Sequence, residues 1–135
     1  MAEINRVTLF GKLNQPTYKV VEGATVFCKL RGNPYVELEH LLAQLLRSAD
    51  RDWHRVIKHY QLDMSALAKD LTAALDRLPR GATSISGIAE NIADAIERGW
   101  VYGTLLYGDN VVRSGYMLVG MLKTKNLRNA LVMIS

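Results

Sequence analysis

The hydrophobic positions of the chain form two long segments that share one pattern. The first covers residues 20–46 and the second residues 96–123, and a shift of 76 positions superimposes them without a gap. The coinciding pairs include Gly23 with Gly99, Leu30 with Leu106, Gly32 with Gly108, Val36 with Val112, His40 with Tyr116, Leu42 with Leu118, and Leu46 with Leu122. Two copies are too few for a solenoid, which needs about three repeats. The pattern therefore predicts a duplicated helical unit folded into one pseudo-symmetric, all-α domain.

The first unit reads as four helices. Apolar residues at i, i+4, i+7 and i+8 from Val20 predict a helix over about 15–30, capped by Asn14 and ended by Gly32 in a left-handed conformation. Pro16 is tolerated in a first helical turn, where its missing N–H has no partner, whereas a helix continuing through it would need a kink. Further helices are predicted at 36–47, from Ser48 or Asp50 to about Tyr60, and from an Asp63 or Ser65 cap to residue 78.

The second unit repeats this plan after a loop at 79–84, with Ser86 as its candidate N-cap. Helices are predicted from there to about Tyr107, at 113–123 and at 126–135, with Ile88 and Ile92 facing inward on the first of them. The sequence stops at Ser135 before a helix that would match 65–78, so either that helix is missing from the second unit or this chain is a fragment of something longer. We therefore expect one domain over 1–135 with seven to eight helices: an extra helix at about 4–13, repeat one at about 14–80, and repeat two at about 84–135 lacking its last helix. Only residues 25–27 and 111–112 favour strand, and helical periodicity on both sides outweighs them.

Composition narrows the function classes. The 135 residues are 49% hydrophobic, enough for a core, and carry a net charge of +4 without a run of basic residues, so nucleic-acid binding is not indicated. A lone cysteine excludes an internal disulfide framework. No signal peptide pattern and no apolar stretch of about 18 residues is present, so we expect a cytoplasmic protein without a membrane span.

No catalytic or metal-binding pattern stands out. His54 and His59 are five residues apart, a spacing that does not place two ligands on one helix face, and His40 reads as a helix-contact residue. Cys28 reads as a small packing residue. The segment 78–86 lacks the paired glycines and the lysine of a phosphate-binding loop. The sequence therefore predicts a chain that is not an enzyme and holds no cofactor or metal.

Two apolar segments exceed what the duplication explains. One precedes the first unit and has no counterpart under the shift of 76, and the other opens the second unit. Their apolar side chains are Val7, Leu9, Phe10, Leu13, Ile85, Ile88 and Ile92. They either cover one another or border an open groove, in which the apolar face of a partner helix would lie with anchors at i, i+3 or i+4, and i+7.

The motifs of the chain resemble a known family. A turn reading Arg-Gly-Asn-Pro-Tyr-Val-Glu at 31–37, then Glu-His-Leu-Leu at 39–42, within a repeated helical unit is similar to the N-terminal domain of the Clp/Hsp100 unfoldases. Longer strings resemble the ClpV-type ATPases of type VI secretion systems. They are Leu-Phe-Gly-Lys-Leu-Asn at 9–14, residues 24–38, Ala-Leu-Asp-Arg-Leu-Pro-Arg-Gly at 74–81, and Glu-Arg-Gly-Trp-Val-Tyr-Gly at 97–103.

The resemblance implies a function that composition alone does not. The chain would be the substrate-recognition domain of a hexameric AAA+ unfoldase in the bacterial cytoplasm, with ATP and Mg held by the AAA+ modules elsewhere in the full-length protein. Its partner would be the N-terminal helix of the large subunit of the type VI secretion sheath. The extra helix at 4–13 would help form the groove, with Leu9, Phe10, Leu13, Ile85, Ile88 and Ile92 as family-derived groove positions. Relatives usually carry an aromatic residue at the position of Ile88. The alternative is a packing or regulatory domain that docks on the AAA+ ring.

Overall fold

The structure, a computed structural model, describes residues 4–48 and 51–134. Over these residues the fold is almost entirely helical, as predicted. Its helices are α1 (Arg6–Phe10), α2 (Gln15–Arg31), α3 (Leu38–Arg47), α4 (Arg51–His59), α5 (Met64–Asp76), α6 (Glu90–Tyr107), α7 (Ser114–Lys123) and α8 (Lys125–Ile134). Adding 76 to the bounds of α3 gives the bounds of α7, so the repeat in the sequence is a repeat in the structure.

The predicted caps of α2 are confirmed, and the turn at Gly108 after α6 repeats the turn at Gly32, as the duplication predicts. The Asn14 side chain accepts a hydrogen bond from the Thr17 amide at 3.1 Å, and Pro16 lies in the first turn, so α2 needs no kink. Gly32 and Gly108 end α2 and α6 with φ angles of 70° and 65°. A side chain at either position would be strained, because this left-handed conformation favours glycine.

Other boundaries differ from the sequence prediction. Ser48 ends α3 instead of capping α4, and its alternative, Asp50, lies outside the described residues. Asp63, the first of two candidates, caps α5 by accepting from the amides of Ser65 and Ala66. Ser86 does not cap α6, which begins at Glu90. The prediction that Ile88 lies on that helix was wrong.

The structure contains two short parallel strand contacts, and one of them explains why Ile88 lies outside α6. Strand β1 (Tyr35–Val36) pairs with strand β2 (Gly87–Ile88), and an isolated bridge joins Leu13 to Val112. Val36 and Val112 correspond under the shift of 76, so each unit contributes one such contact. The expectation that helix periodicity excludes extended structure near Val112 was therefore wrong. Pairing between distant segments satisfies backbone groups that a helix would otherwise satisfy locally.

The hydrophobic core lies where the two units meet. Helices α6 and α7 make the most extensive contact, and α2 and α3 pack in the corresponding way. The largest fully buried apolar side chains are Leu41, Leu45, Ile92, Ile96, Met117, Met121 and Leu127. Each contributes roughly 1.5–3 kcal/mol by leaving water. This shared core fixes α6, and with it the start of the second unit, against the first.

Candidate functional site

Helix α1 is attached to the second unit and not only to the helix that follows it. Asn5 caps α1 by accepting from the Val7 amide at 2.8 Å, and Leu9 is the residue of α1 that enters the core. After α1, the Val112 amide donates to the Lys12 carbonyl at 2.7 Å, and the Asn14 amide donates to the Val112 carbonyl at 2.9 Å. The chain between α1 and α2 is thus tied to the loop before α7.

Strand β2 lies beside α1. The Ser86 amide donates to the Pro34 carbonyl at 2.7 Å, and the Ala89 amide donates to the Val36 carbonyl at 2.8 Å, which holds the strand against β1. On the other side, the Arg6 guanidinium donates from Nη1 to the Ile88 carbonyl at 3.0 Å. Helix α1 also packs on α6, the helix that follows β2. The two apolar segments singled out in the sequence therefore adjoin each other.

The seven predicted site residues divide by burial. Leu9, Leu13 and Ile92 are buried in the core, with Ile92 fully inaccessible, so these three shape the region from below its surface. Phe10, Ile85 and Ile88 are half-buried at the edge of the core, and Val7 is 82% exposed. We call Val7, Phe10, Ile85 and Ile88, together with Tyr35, the α1–β2 surface.

Sequence reasoning missed two residues of this region. Tyr35 pairs with Gly87 in the strand register and is half exposed, but a two-residue strand has too short a pattern to reveal it. Arg6 gave no signal because the search was for apolar side chains.

Charged groups flank the α1–β2 surface on the α6 side. Burial raises the pKa of the Asp94 carboxyl, and nearby Glu97 raises it further, while Arg98 and Arg6 act in the opposite direction. Lys12 places its ammonium 4.9 Å from the centre of the Trp100 ring, a cation–π contact between the chain after α1 and helix α6. The surface is thus apolar in its middle and carries both signs of charge at its edge.

A second apolar feature is a cleft that shares no lining residue with the α1–β2 surface. It has a volume of about 240 Å³ and lies among α3, α4, α5 and α8. Its lining residues are Leu42, Leu46, Trp53, Leu67, Leu71, Leu131, Val132 and Ile134. Val132 and the neighbouring Met133 are largely exposed. This cleft is a second candidate for docking.

His40 and Cys28, two candidates for chemical reactivity in the sequence, have structural roles. The Glu37 amide donates to His40 Nδ1 at 2.9 Å, so Nε2 carries the proton and donates to Asn33 Oδ1 at 2.8 Å. Burial, with nearby Arg31, lowers the pKa of His40 to about 4. The Cys28 thiol is buried, donates to the Tyr35 carbonyl at 3.2 Å, and has a raised pKa because of burial. Neither group has the exposure that a catalytic base or nucleophile needs.

Across 4–48 and 51–134, no three or more His, Cys, Asp or Glu side chains are grouped so that they could hold a metal ion. In the same part of the chain, no helix has both the length and the apolar character needed to cross a membrane.

Comparison with known proteins identifies relatives along the whole chain. The sequence profile of the Clp repeat (R) N-terminal domain matches residues 12–133. The AAA+ ATPase ClpV1 of Pseudomonas aeruginosa is 56% identical over 135 residues, which are all of this chain and 15% of that protein. This chain therefore spans only a small part of the length of that relative.

Solved structures give the same result. One, described as "Coevolution of the ATPase ClpV, the TssB-TssC Sheath and the Accessory HsiE Protein Distinguishes Two Type VI Secretion Classes", contains a chain that is 56% identical and superimposes with a TM-score of 0.94, covering 100% of this chain and 83% of that one. Another, described as a peptide from the EAEC T6SS Sci1 SciI protein, matches at 27% identity and a TM-score of 0.85, covering 92% of this chain and 78% of that one.

Proposed function

The chain belongs to the family of Clp repeat N-terminal domains, and from that premise we propose that it is the substrate-recognition domain of a ClpV-type AAA+ unfoldase. Its partner is the N-terminal helix of the large subunit of the type VI secretion sheath. The domain captures this helix, and the ATPase ring to which the domain belongs then extracts subunits from contracted sheath for reuse.

The observation that carries this proposal is the combination of two similarities. The chain is 56% identical along its whole length to a ClpV1 ATPase, which indicates the kind of protein in which the domain occurs. It also shares its fold, at 27% identity, with a solved structure whose description names a type VI secretion peptide. A peptide-binding role is consistent with a domain in which the buried His40 and Cys28 side chains have structural hydrogen-bond partners.

The α1–β2 surface is the place we assign to the partner helix. Val7, Phe10, Ile85 and Ile88 lie on two segments about 80 residues apart in the chain, which the Arg6–Ile88 hydrogen bond joins. An amphipathic helix uses such a surface by laying down apolar side chains from successive turns. The buried Leu9, Leu13 and Ile92 hold the surface in place.

The remaining parts of the proposal concern the full-length protein. ATP and Mg belong to its AAA+ modules, and this domain itself performs no chemistry. Binding of one peptide is modest in affinity, because the partner helix must order as it binds. A hexameric ring in the bacterial cytoplasm presents six copies of the domain to a sheath with many subunits, and avidity compensates for the weak single contact.

A second candidate function rests on the apolar cleft among α3, α4, α5 and α8. Val132 and Met133 expose apolar area next to it. In this alternative, the cleft packs against the AAA+ ring of the same protein and the domain has a packing or regulatory role. The two candidates place the contact on different sets of residues, so one pair of variants separates them.

The test measures peptide affinity for two matched variants. Val7 and Val132 are both exposed valines on helices, at 82% and 68%, and replacement by glutamate adds the same charge to each candidate surface. The probe is a fluorescein-labelled peptide from the N-terminal helix of the sheath large subunit. We expect Val7→Glu to raise its Kd at least tenfold, which corresponds to a loss of roughly 1.4 kcal/mol in binding free energy. Val132→Glu should bind as the parent chain does. Circular dichroism checks that both variants are folded.

Ile88→Glu provides an independent variant on the β2 side of the same surface. If the parent chain binds the peptide and both Val7→Glu and Ile88→Glu bind it equally well, the assignment of the surface is wrong. If instead Val132→Glu alone abolishes binding, the cleft is the peptide site. Absence of binding by the parent chain at millimolar peptide would contradict the recognition function itself.

A further inference from the structure

The side chain of Arg6 makes an unusual long-range contact for an exposed residue. Its guanidinium lies on α1, and Nη1 donates to the carbonyl oxygen of Ile88 at 3.0 Å, across 82 positions of sequence. The acceptor belongs to β2, whose other neighbour is β1. Arg6 therefore bridges the two segments that carry the α1–β2 surface.

Helix α1 needs such a contact to hold its position. It has five residues, and a helix of that length has no stability of its own in water because nucleation is unfavourable. Leu9 anchors its C-terminal half in the core, while Val7 in its first turn is 82% exposed. The Asn5 cap holds the first turn within α1, whereas the Arg6 hydrogen bond ties that turn to β2.

Arg6 also lies close enough to α6 to act on a carboxylate there. It contributes to lowering the pKa of Asp94 against the larger effect of burial, and Asp94 is half-buried on the helix that begins directly after β2. Glu97, one turn further on, adds negative charge to the same face. The cation is thus attracted by the Asp94 carboxylate of α6 while it bonds the carbonyl of β2, and both interactions draw the first turn of α1 toward the second unit.

We propose that Arg6 is a positioning residue of the peptide-binding surface, which fastens the first turn of α1 to β2 and so fixes the distance between Val7 and Ile88. The inference rests on the function proposed above and deepens it. A partner helix that spans both segments needs them at a set separation. Without Arg6, the first turn of α1 occupies other positions, and apparent affinity falls in proportion to the fraction of molecules in the competent arrangement.

The experiment compares four forms of the 135-residue chain: the parent, Arg6→Met, Arg6→Lys and Arg128→Met. Methionine keeps an unbranched side chain but loses the donor and the charge. Lysine keeps both in altered geometry, and Arg128 is an exposed arginine of α8 that serves as the matched control. The probe is the labelled sheath N-terminal peptide. We expect Arg6→Met to raise Kd about five- to tenfold, Arg6→Lys to recover part of the loss, and Arg128→Met to match the parent.

Two further measurements distinguish positioning from general stability. Thermal unfolding should give the same Tm for all four forms within about 2 °C, because the shared core does not depend on Arg6. Hydrogen exchange read by mass spectrometry should be faster over residues 4–13 of free Arg6→Met than of the parent, with little change elsewhere.

Each outcome has a defined meaning. Parent-like peptide affinity in Arg6→Met overturns the inference while leaving the proposed function standing, whether or not exchange in residues 4–13 changes. Weak binding with unchanged exchange in that segment also overturns it, because Arg6 would then act on the peptide directly. If the parent chain itself fails to bind, the proposed function fails and the inference fails with it.

Discussion

The two helical units differ in the chemistry of the junction between their long helix and the helix that follows it. In each unit a long helix ends at a left-handed glycine, and the next residue bonds a side chain on the following helix. In the first unit Asn33 accepts from His40, and both side chains are buried. In the second unit the equivalent residues are Asp109 and Tyr116, whose hydroxyl donates to the carboxylate at 2.8 Å in a half-exposed setting. One junction is a neutral part of the core, and the other is a charged surface contact.

The contacts of the two junctions also differ in how far they extend into the fold. In the first unit the network continues, because Asn33 donates from Nδ2 to the Pro79 carbonyl at 2.7 Å and so ties the junction to the linker between the units. In the second unit the Tyr116 ring stacks on Tyr107, with ring centres 5.2 Å apart, and the contact remains at the surface. We therefore expect removal of the junction side chain to have a large effect in the first unit and a small one in the second.

The largest effect should come from removing the imidazole of the buried junction. His40→Leu leaves the Asn33 side-chain oxygen and the Glu37 amide without their partner inside the protein, and each orphaned buried group costs about 1–3 kcal/mol. We expect a loss of roughly 4 kcal/mol in the free energy of unfolding, measured by urea denaturation at pH 7.5. A loss below about 1 kcal/mol would show that water replaces the imidazole and that the junction is not part of the core.

Acid should weaken the same junction without a mutation. The folded pKa of His40 is about 4, below its ordinary value of 6.5, so the unfolded chain takes up a proton first as the pH falls. The stability from the neutral imidazole is complete above pH 6.5 and is lost between pH 6.5 and 4, about 2 kcal/mol of it by pH 5. Urea denaturation at pH 7.5 and at pH 5 measures this loss as the difference in the free energy of unfolding. His40→Leu should lack this part of the pH dependence.

A third effect separates the units at their helix crossings. A Cβ on Gly120 would lie 2.7 Å from the Arg98 Cβ and 2.9 Å from its backbone carbonyl carbon, atoms that cannot move without displacing α6. At the crossing of the first unit, a Cβ on Gly23 would meet only the flexible end of the Gln44 side chain. We expect Gly120→Ala to lose about 2 kcal/mol through overpacking, and Gly23→Ala to be neutral or stabilised by up to about 1 kcal/mol through helix propensity.

The measurement for this pair is the difference in unfolding free energy between the two alanine variants. Each gains the same helix propensity, so the difference isolates the steric part. Equal stabilities would contradict the view that α6 and α7 cross more closely than α2 and α3. The close crossing holds α6 in place, and α6 in turn carries Asp94 beside α1, so the comparison also bears on the α1–β2 surface.

The parts of the fold that were predictable are those that local sequence encodes. The shift of 76 places α3 and α7 in register, and Asn14, Gly32 and Gly108 mark helix ends because capping depends on a few neighbouring residues. The strand pair at Val36 and Ile88 was not predictable. A strand of two residues is too short to show the alternation of apolar and polar positions that marks a strand in sequence. In addition, the pairing joins positions about 50 residues apart.

The two segments of the candidate site could be picked out from the sequence, but their role as a peptide-binding site stays a prediction. Both apolar segments are distinguishable from the repeat by sequence alone, and the structure places them side by side. Which of their side chains are buried depends on tertiary packing, so Leu9 and Ile92 gave the same apolar signal as the exposed Val7. Arg6 was not recognisable because its acceptor is a backbone carbonyl, which no sequence pattern encodes.

The smallest effect should come from the junction of the second unit. Tyr116→Phe removes the hydroxyl that donates to Asp109 but keeps the ring that stacks on Tyr107. Both junction groups are reached by water, so the Asp109 carboxylate can exchange the lost donor for solvent, unlike the buried Asn33 oxygen. We expect Tm to fall by no more than about 4 °C in a thermal scan at pH 7.5. A fall as large as that caused by His40→Leu would mean that the two junctions carry equal weight, and the contrast between a buried first junction and a water-accessible second junction would no longer hold.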